Sequence, residues 1–113
     1  MKEQIEQYLE AIKANYGAWV IKANYGAWGG ASSVRQAMVE HFNQGLEIVP
    51  GNKYIKVLTN RSVHSFIVAV ETPKFKVGDI LMAKSFKAPA TNFARGNILD
   101  PKFNFGAVRW AGA

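Results

Sequence analysis

At 113 residues and 12.5 kDa, the chain has room for a single domain, 1–113, built on one modest core. Hydrophobic residues make up 49% and charged residues 19%, enough apolar surface to offset chain ordering, which excludes disorder as a description of the whole. Cysteine is absent, and with it go disulfides, thiolate zinc sites, cysteine nucleophiles and iron–sulfur clusters. No apolar run approaches the ~18 residues that span a bilayer, and Met1–Glu10 is too polar for a signal peptide, so a cytoplasmic location without membrane contact is expected.

Charge is divided unevenly. Up to Glu47 four bases meet five acids, a net −1; from Ile48 onward ten bases meet Glu71, Asp79 and Asp100, a net +7. A basic half points to a polyanion partner, because each phosphate neutralised by Lys or Arg releases counterions. Plain solubility is the competing account.

Near the N-terminus, Ile12–Trp19 and Ile21–Trp28 both read IKANYGAW, so residues 12–29 are two nine-residue units identical at eight positions. One pair falls short of the three or more units of a solenoid and reads as a local tandem duplication. Ile5, Tyr8, Leu9, Ile12, Tyr16 and Trp19 share one helical face. Nine residues rotate a helix by about 900°, half a turn beyond two full turns, so Ile21, Tyr25 and Trp28 fall on the opposite face. The second copy could loop out at Gly17 or Gly26, or replace the first in the core. Alternatively, both copies stay helical as an arm whose second apolar face, with Tyr25 and Trp28, needs a partner, and Trp19, Ile21, Tyr25 and Trp28 are then the expected homodimerisation residues.

Ser32 and Ser33 open a second helix, with capping-box spacing from Ser33 to Gln36, and Gly45 ends it. Val34, Ala37, Met38, His41 and Phe42 form its expected buried face. After a turn at Pro50–Asn52, Tyr54–Leu58 and Val63–Val70 read as an antiparallel hairpin closed by residues 59–62. Lys76–Asp79 makes the next turn. Ile80–Phe86 is the expected third strand and Phe103–Trp110 the fourth, with an ordered irregular loop over Lys87–Asn97. The fold class is α+β: two N-terminal helices, then a small curled antiparallel sheet or partial barrel of about four strands.

Catalytic arrangements are hard to assemble from these residues. His41 on an apolar helix face and His64 within a strand are each better explained as core or surface residues. Ser62, His64 and Ser65 are close in sequence, but strand neighbours point to opposite faces and no acid is placed to orient the imidazole. No metal-ligand spacing and no phosphate-binding glycine loop occurs, so neither a metal nor a cofactor is expected, nor an enzyme. Asp79 and Asp100 fit turn chemistry.

The stretch Lys84–Asn97, KSFKAPATNFARGN, alternates Lys84, Lys87 and Arg95 with Phe86 and Phe93, and Lys74-Phe75-Lys76 repeats the pattern nearby. Cations neutralise phosphates while aromatic faces stack on bases, the mode of sequence-tolerant single-strand binders. The competing account makes both phenylalanines core residues that pin the loop.

KFKVGDILMAKSFKAPATNFARGNIL and the closing VRWAGA resemble the C-terminal half of small uncharacterised proteins encoded by tailed phages. The resemblance covers about the last 65 residues, implies a host-cell cytoplasmic setting, and carries no site residues. The expected function is non-enzymatic nucleic-acid binding through Lys74, Lys76, Lys84, Phe86, Lys87, Phe93 and Arg95. The alternative is a stoichiometric effector that binds a host protein, anchored by Trp19, Tyr25 and Trp28.

Overall fold

The apolar stripe of the N-terminal segment winds into α1, Lys2–Ala23, in the computed structural model, which describes residues 1–23, 32–60 and 62–112, with backbone only at 21–23 and 32–35. Tyr8, Ile12 and Val20 are buried along the stripe, while Ile5, Leu9 and Tyr16 pack beside them. The first copy of the repeat therefore holds the place in the core. Ile12 is fully buried and Tyr16 stacks flat on Phe42 with centroids 3.9 Å apart. This corrects two of the expected outcomes, a loop at Gly17 and displacement of the first copy by the second. The second copy beyond Ala23, with Gly26, Tyr25 and Trp28, lies outside the described residues, as does the side chain of Ile21.

Helix α2, Ser32–Gln44, ends as its sequence predicts. The Gly45 N–H donates to the carbonyls of His41 and Phe42 at 3.1 and 3.0 Å. A Cβ at Gly45 would collide with the Asn60 side chain, so glycine lets the helix end meet the hairpin turn, where the Asn60 N–H donates to the Gly45 carbonyl at 2.9 Å. The expected buried face is too wide. Phe42 is buried and Met38 half-buried, but Ala37 and His41 are exposed. The Phe42 ring, stacked on Tyr16, supplies the buried contact, so α2 buries a narrow line. The side chains of Ser33 and Val34 lie outside the described residues, so the capping box does too.

The remainder forms a five-stranded antiparallel meander, β1 Leu46–Pro50, β2 Tyr54–Thr59, β3 Ser62–Val68, β4 Asp79–Met82 and β5 Gly96–Asn97, in sequential order and not closed into a barrel. The hairpin β2–β3 agrees with expectation. Strand β1 was masked in sequence by the helix-ending Gly45 and by Pro50, yet it pairs with β2 along its whole length, Leu46 opposite Thr59 to Pro50 opposite Ile55. As an edge strand it tolerates a terminal proline. Strand β4 is shorter than expected because the chain turns back after Met82: the Lys84 and Ser85 N–H groups both donate to the Ala88 carbonyl, and Ala83 bridges Pro89. Phe103–Trp110 is no strand. Asn104 caps a short 3₁₀ turn, Phe105–Ala107, by accepting from the Gly106 N–H at 3.0 Å. A chain that turns there cannot hold the ladder its alternating apolar residues predict.

Alternation along the strands divides the core in two. Val57, Ile67 and Ile80 face the helices and join Tyr8, Ile12, Phe42, Ile98 and Val108. Phe66, Val68 and Leu81 point the other way, where Phe75 and Ala94 from the connecting loops cover them. Helices thus form one layer, the sheet the second, and the loops around residues 69–78 and 83–95 a third. The candidate site lies on that third layer.

Candidate nucleic-acid interface

Within β2, residues of one parity face the loop layer, and Lys56 is among them, directly opposite Phe66 in the β2–β3 register. Its ammonium lies 4.1 Å from the centroid of Phe86 and 6.0 Å from that of Phe66. Phe86 projects from the tight loop held by the Ala88 carbonyl and by the Ala88 N–H, which donates to Ser85 Oγ at 3.2 Å. At 55% exposure Phe86 is no core residue, and Phe93, at 51%, is not one either. The Phe93 N–H donates to Asn92 Oδ1, and the Arg95 guanidinium sits 4.2 Å from the ring centroid while its Nη2 approaches Met82 Sδ at 3.4 Å. The Arg95 N–H donates to the Ile80 carbonyl at 2.7 Å, which ties this cation to the sheet edge.

Lys84 and Lys87 stand exposed on either side of Phe86. Lys74 and Lys76 are exposed too, but Phe75 between them is 5% exposed and belongs to the core of the loop layer, so it offers no stacking face. Sequence reading missed Lys56. Its signal was the period of two in Tyr54-Ile55-Lys56-Val57-Leu58, which sets the lysine on the face opposite Val57.

Among the described residues one ion pair forms, Lys13 with Glu10 at 3.2 Å on α1. Among the described residues, none of Lys56, Lys74, Lys76, Lys84, Lys87 and Arg95 forms an ion pair with a carboxylate. The exposed acids Glu3, Glu6 and Glu10 line a groove on α1, in the helical layer. An excess of cations thus gathers on the loop layer, whose loops contain one acid, Glu71, while on α1 three glutamates are matched in number by Lys2, Lys13 and Lys22.

A buried polar network lies between the layers. His64 Nε2–H donates to the Arg109 carbonyl at 2.6 Å, which assigns the neutral tautomer with Nδ1 as acceptor. Ser65 Oγ donates to Nδ1 at 2.8 Å, and the Tyr8 hydroxyl donates to Ser65 Oγ at 2.8 Å. Burial holds the His64 pKa below its ordinary value, outweighing the Arg109 hydrogen bond, and pushes the Tyr8 pKa up to about 12. Strand alternation does not separate His64 from Ser65 as expected: the register shift between Val57 and Leu58 leaves His64 unmatched in the ladder and turns both side chains toward Tyr8. Ser65 has no exposed surface, so solvent does not reach its hydroxyl.

Of the expected oligomerisation residues, Trp19 is 43% exposed and lies 4.9 Å from Trp110, beside Tyr16 and Phe42. No described helix is long and apolar enough to cross a membrane. Comparison of the chain with protein-family models, curated sequences and solved structures finds no match.

Proposed function

We propose that this chain is a non-enzymatic accessory protein that binds single-stranded nucleic acid on its loop layer. One observation carries the reading: two half-exposed phenylalanines, Phe86 and Phe93, each have a cation against the ring, on a surface whose lysines and arginine lack carboxylate partners among the described residues. Bases stack on the open ring faces while Lys56, Lys84, Lys87 and Arg95 neutralise phosphates, with Lys74 and Lys76 at the margin. Stacking needs an unpaired base, so single strands are bound in preference to duplex. Replacing Lys84, Lys87 and Arg95 together by alanine abolishes oligonucleotide binding in a fluorescence titration and leaves the thermal midpoint nearly unchanged, since all three side chains are exposed. Retained binding refutes the site.

A second reading rests on Trp19, exposed beside Trp110: an aromatic anchor of this kind suits a protein partner, either a host protein or a second copy of the chain. The cytoplasm of a phage-infected cell is the proposed setting for both.

A further inference from the structure

Arg95 touches both a ring and a sulfur. Its guanidinium lies 4.2 Å from the centroid of Phe93 and its Nη2 lies 3.4 Å from Met82 Sδ, on the same strand whose Ile80 carbonyl accepts from the Arg95 N–H. A thioether is a weak acceptor and carries no charge. Arg95 forms no ion pair with a carboxylate among the described residues, so the guanidinium is aimed without being neutralised, and its donors stay available to a phosphate.

The sulfur-bearing side chain is open to solvent as well. Of the three methionines, Met82 is 38% exposed, Met38 is half-buried, and Met1, also exposed, stands ahead of α1. Hydrogen peroxide converts an accessible thioether to a sulfoxide. The sulfur lone pair attacks one peroxide oxygen, the O–O bond breaks as the S–O bond forms, and the proton on the transferred oxygen leaves with the departing hydroxide as water. Sulfur loses two electrons and peroxide gains them. The new oxygen is a polar acceptor bonded to the atom that Nη2 already approaches, so it takes guanidinium donors that a phosphate would use.

We propose that Met82 is an oxidation site at which the sulfoxide captures Arg95 and withdraws it from nucleic-acid binding. That role rests on the single-strand binding proposed above and places it under reversible control.

The full chain is treated with hydrogen peroxide, oxidation is located by peptide mass spectrometry, and binding of a labelled thymidine oligonucleotide is measured by fluorescence anisotropy over a salt series. Met82 is expected to oxidise ahead of Met38. Loss of one phosphate contact is expected to lower affinity about fivefold near 100 mM salt and to make the slope of log affinity against log salt shallower by about 0.7. Methionine sulfoxide reductases acting on both epimers are expected to restore affinity and slope. Met82→Leu, which keeps an apolar side chain of similar size without an oxidisable sulfur, is expected to bind alike before and after peroxide. Arg95→Ala is expected to show no further loss on oxidation. A native chain whose Met82 resists peroxide, or that keeps its affinity and slope once Met82 is oxidised, overturns the control and leaves strand binding standing. So does a Met82→Leu or Arg95→Ala variant that peroxide weakens as much as the native chain. Absence of oligonucleotide binding before any treatment overturns the single-strand reading and the control with it.

Discussion

His64 shows how a single side chain ties the layers together. Through Ser65 it reaches Tyr8 on α1, and through Nε2 it reaches the Arg109 carbonyl in the C-terminal segment, so helix, sheet and tail meet at one imidazole. Both ring nitrogens are satisfied only while the ring is neutral: a proton on Nδ1 would turn the acceptor of the Ser65 hydroxyl into a second donor. Because burial depresses its pKa in the folded state, the unfolded chain binds the proton more tightly. The stabilisation is complete above the ordinary value of 6.5 and is lost as pH falls below it toward the folded-state pKa. Thermal melts between pH 8 and pH 5 should show this decline in the native protein. His64→Leu should be less stable throughout, by about 2 to 4 kcal/mol from the stranded Ser65 hydroxyl and Arg109 carbonyl, with a flatter pH profile over the same window. An unchanged slope in the variant would assign the pH dependence to other groups. At the loop layer the opposite pattern is expected. Phe86→Ala and Phe93→Ala should each weaken single-strand binding by about 1 to 3 kcal/mol while shifting stability by no more than ~0.5 kcal/mol, because both rings are half in solvent. Loss of the fold in either variant would restore the reading of these rings as core.

At the scale of elements, periodicity located what long, regular segments could reveal. The 3.6-residue stripe from Ile5 to Tyr16 gave α1, Gly45 gave the end of α2, and the alternation around Thr59–Ser62 gave the central hairpin. Where pairing depends on partners distant in sequence, local pattern failed. Strand β1 exists because β2 accepts it in register, β5 is two residues long and becomes visible only beside Asp79 and Ile80, and Phe103–Trp110 alternates like a strand but turns at Asn104. The candidate site was legible in part for the same reason. Lys84–Arg95 is contiguous in sequence, whereas Lys56 joins it across the sheet. Burial of Val20 sharpens the test of the duplication. Deleting residues 21–29 removes nine residues, keeps Tyr8, Ile12, Tyr16 and Val20 on α1, and leads into Gly30. The shortened chain should stay folded. If the second copy builds the dimer, sedimentation should give a dimer for the full chain and a monomer for the deletion variant; a full chain that is monomeric at high micromolar concentration contradicts that role.

Across the whole molecule, the excess of cations lies on the loop layer, Lys74, Lys76, Lys84, Lys87 and Arg95 against Glu71, whereas the three glutamates of α1 are matched in number by Lys2, Lys13 and Lys22. Such a field orients the loop layer toward a polyanion before contact, and it makes affinity depend on ionic strength. For single strands the slope of log affinity against log salt is about −0.7 per phosphate neutralised. Three or four contacts from Lys56, Lys84, Lys87 and Arg95 predict a slope near −2 to −3, or a roughly 20- to 50-fold loss of affinity between 50 and 200 mM salt. The most direct test of single-strand binding is this slope, measured by fluorescence anisotropy with a labelled thymidine oligonucleotide for the native chain and for the variant with Lys84, Lys87 and Arg95 replaced by alanine. The native protein should show the steep dependence and the variant little binding with a slope near zero. A native slope near zero, or a variant that binds with the native slope, would contradict binding at the loop layer.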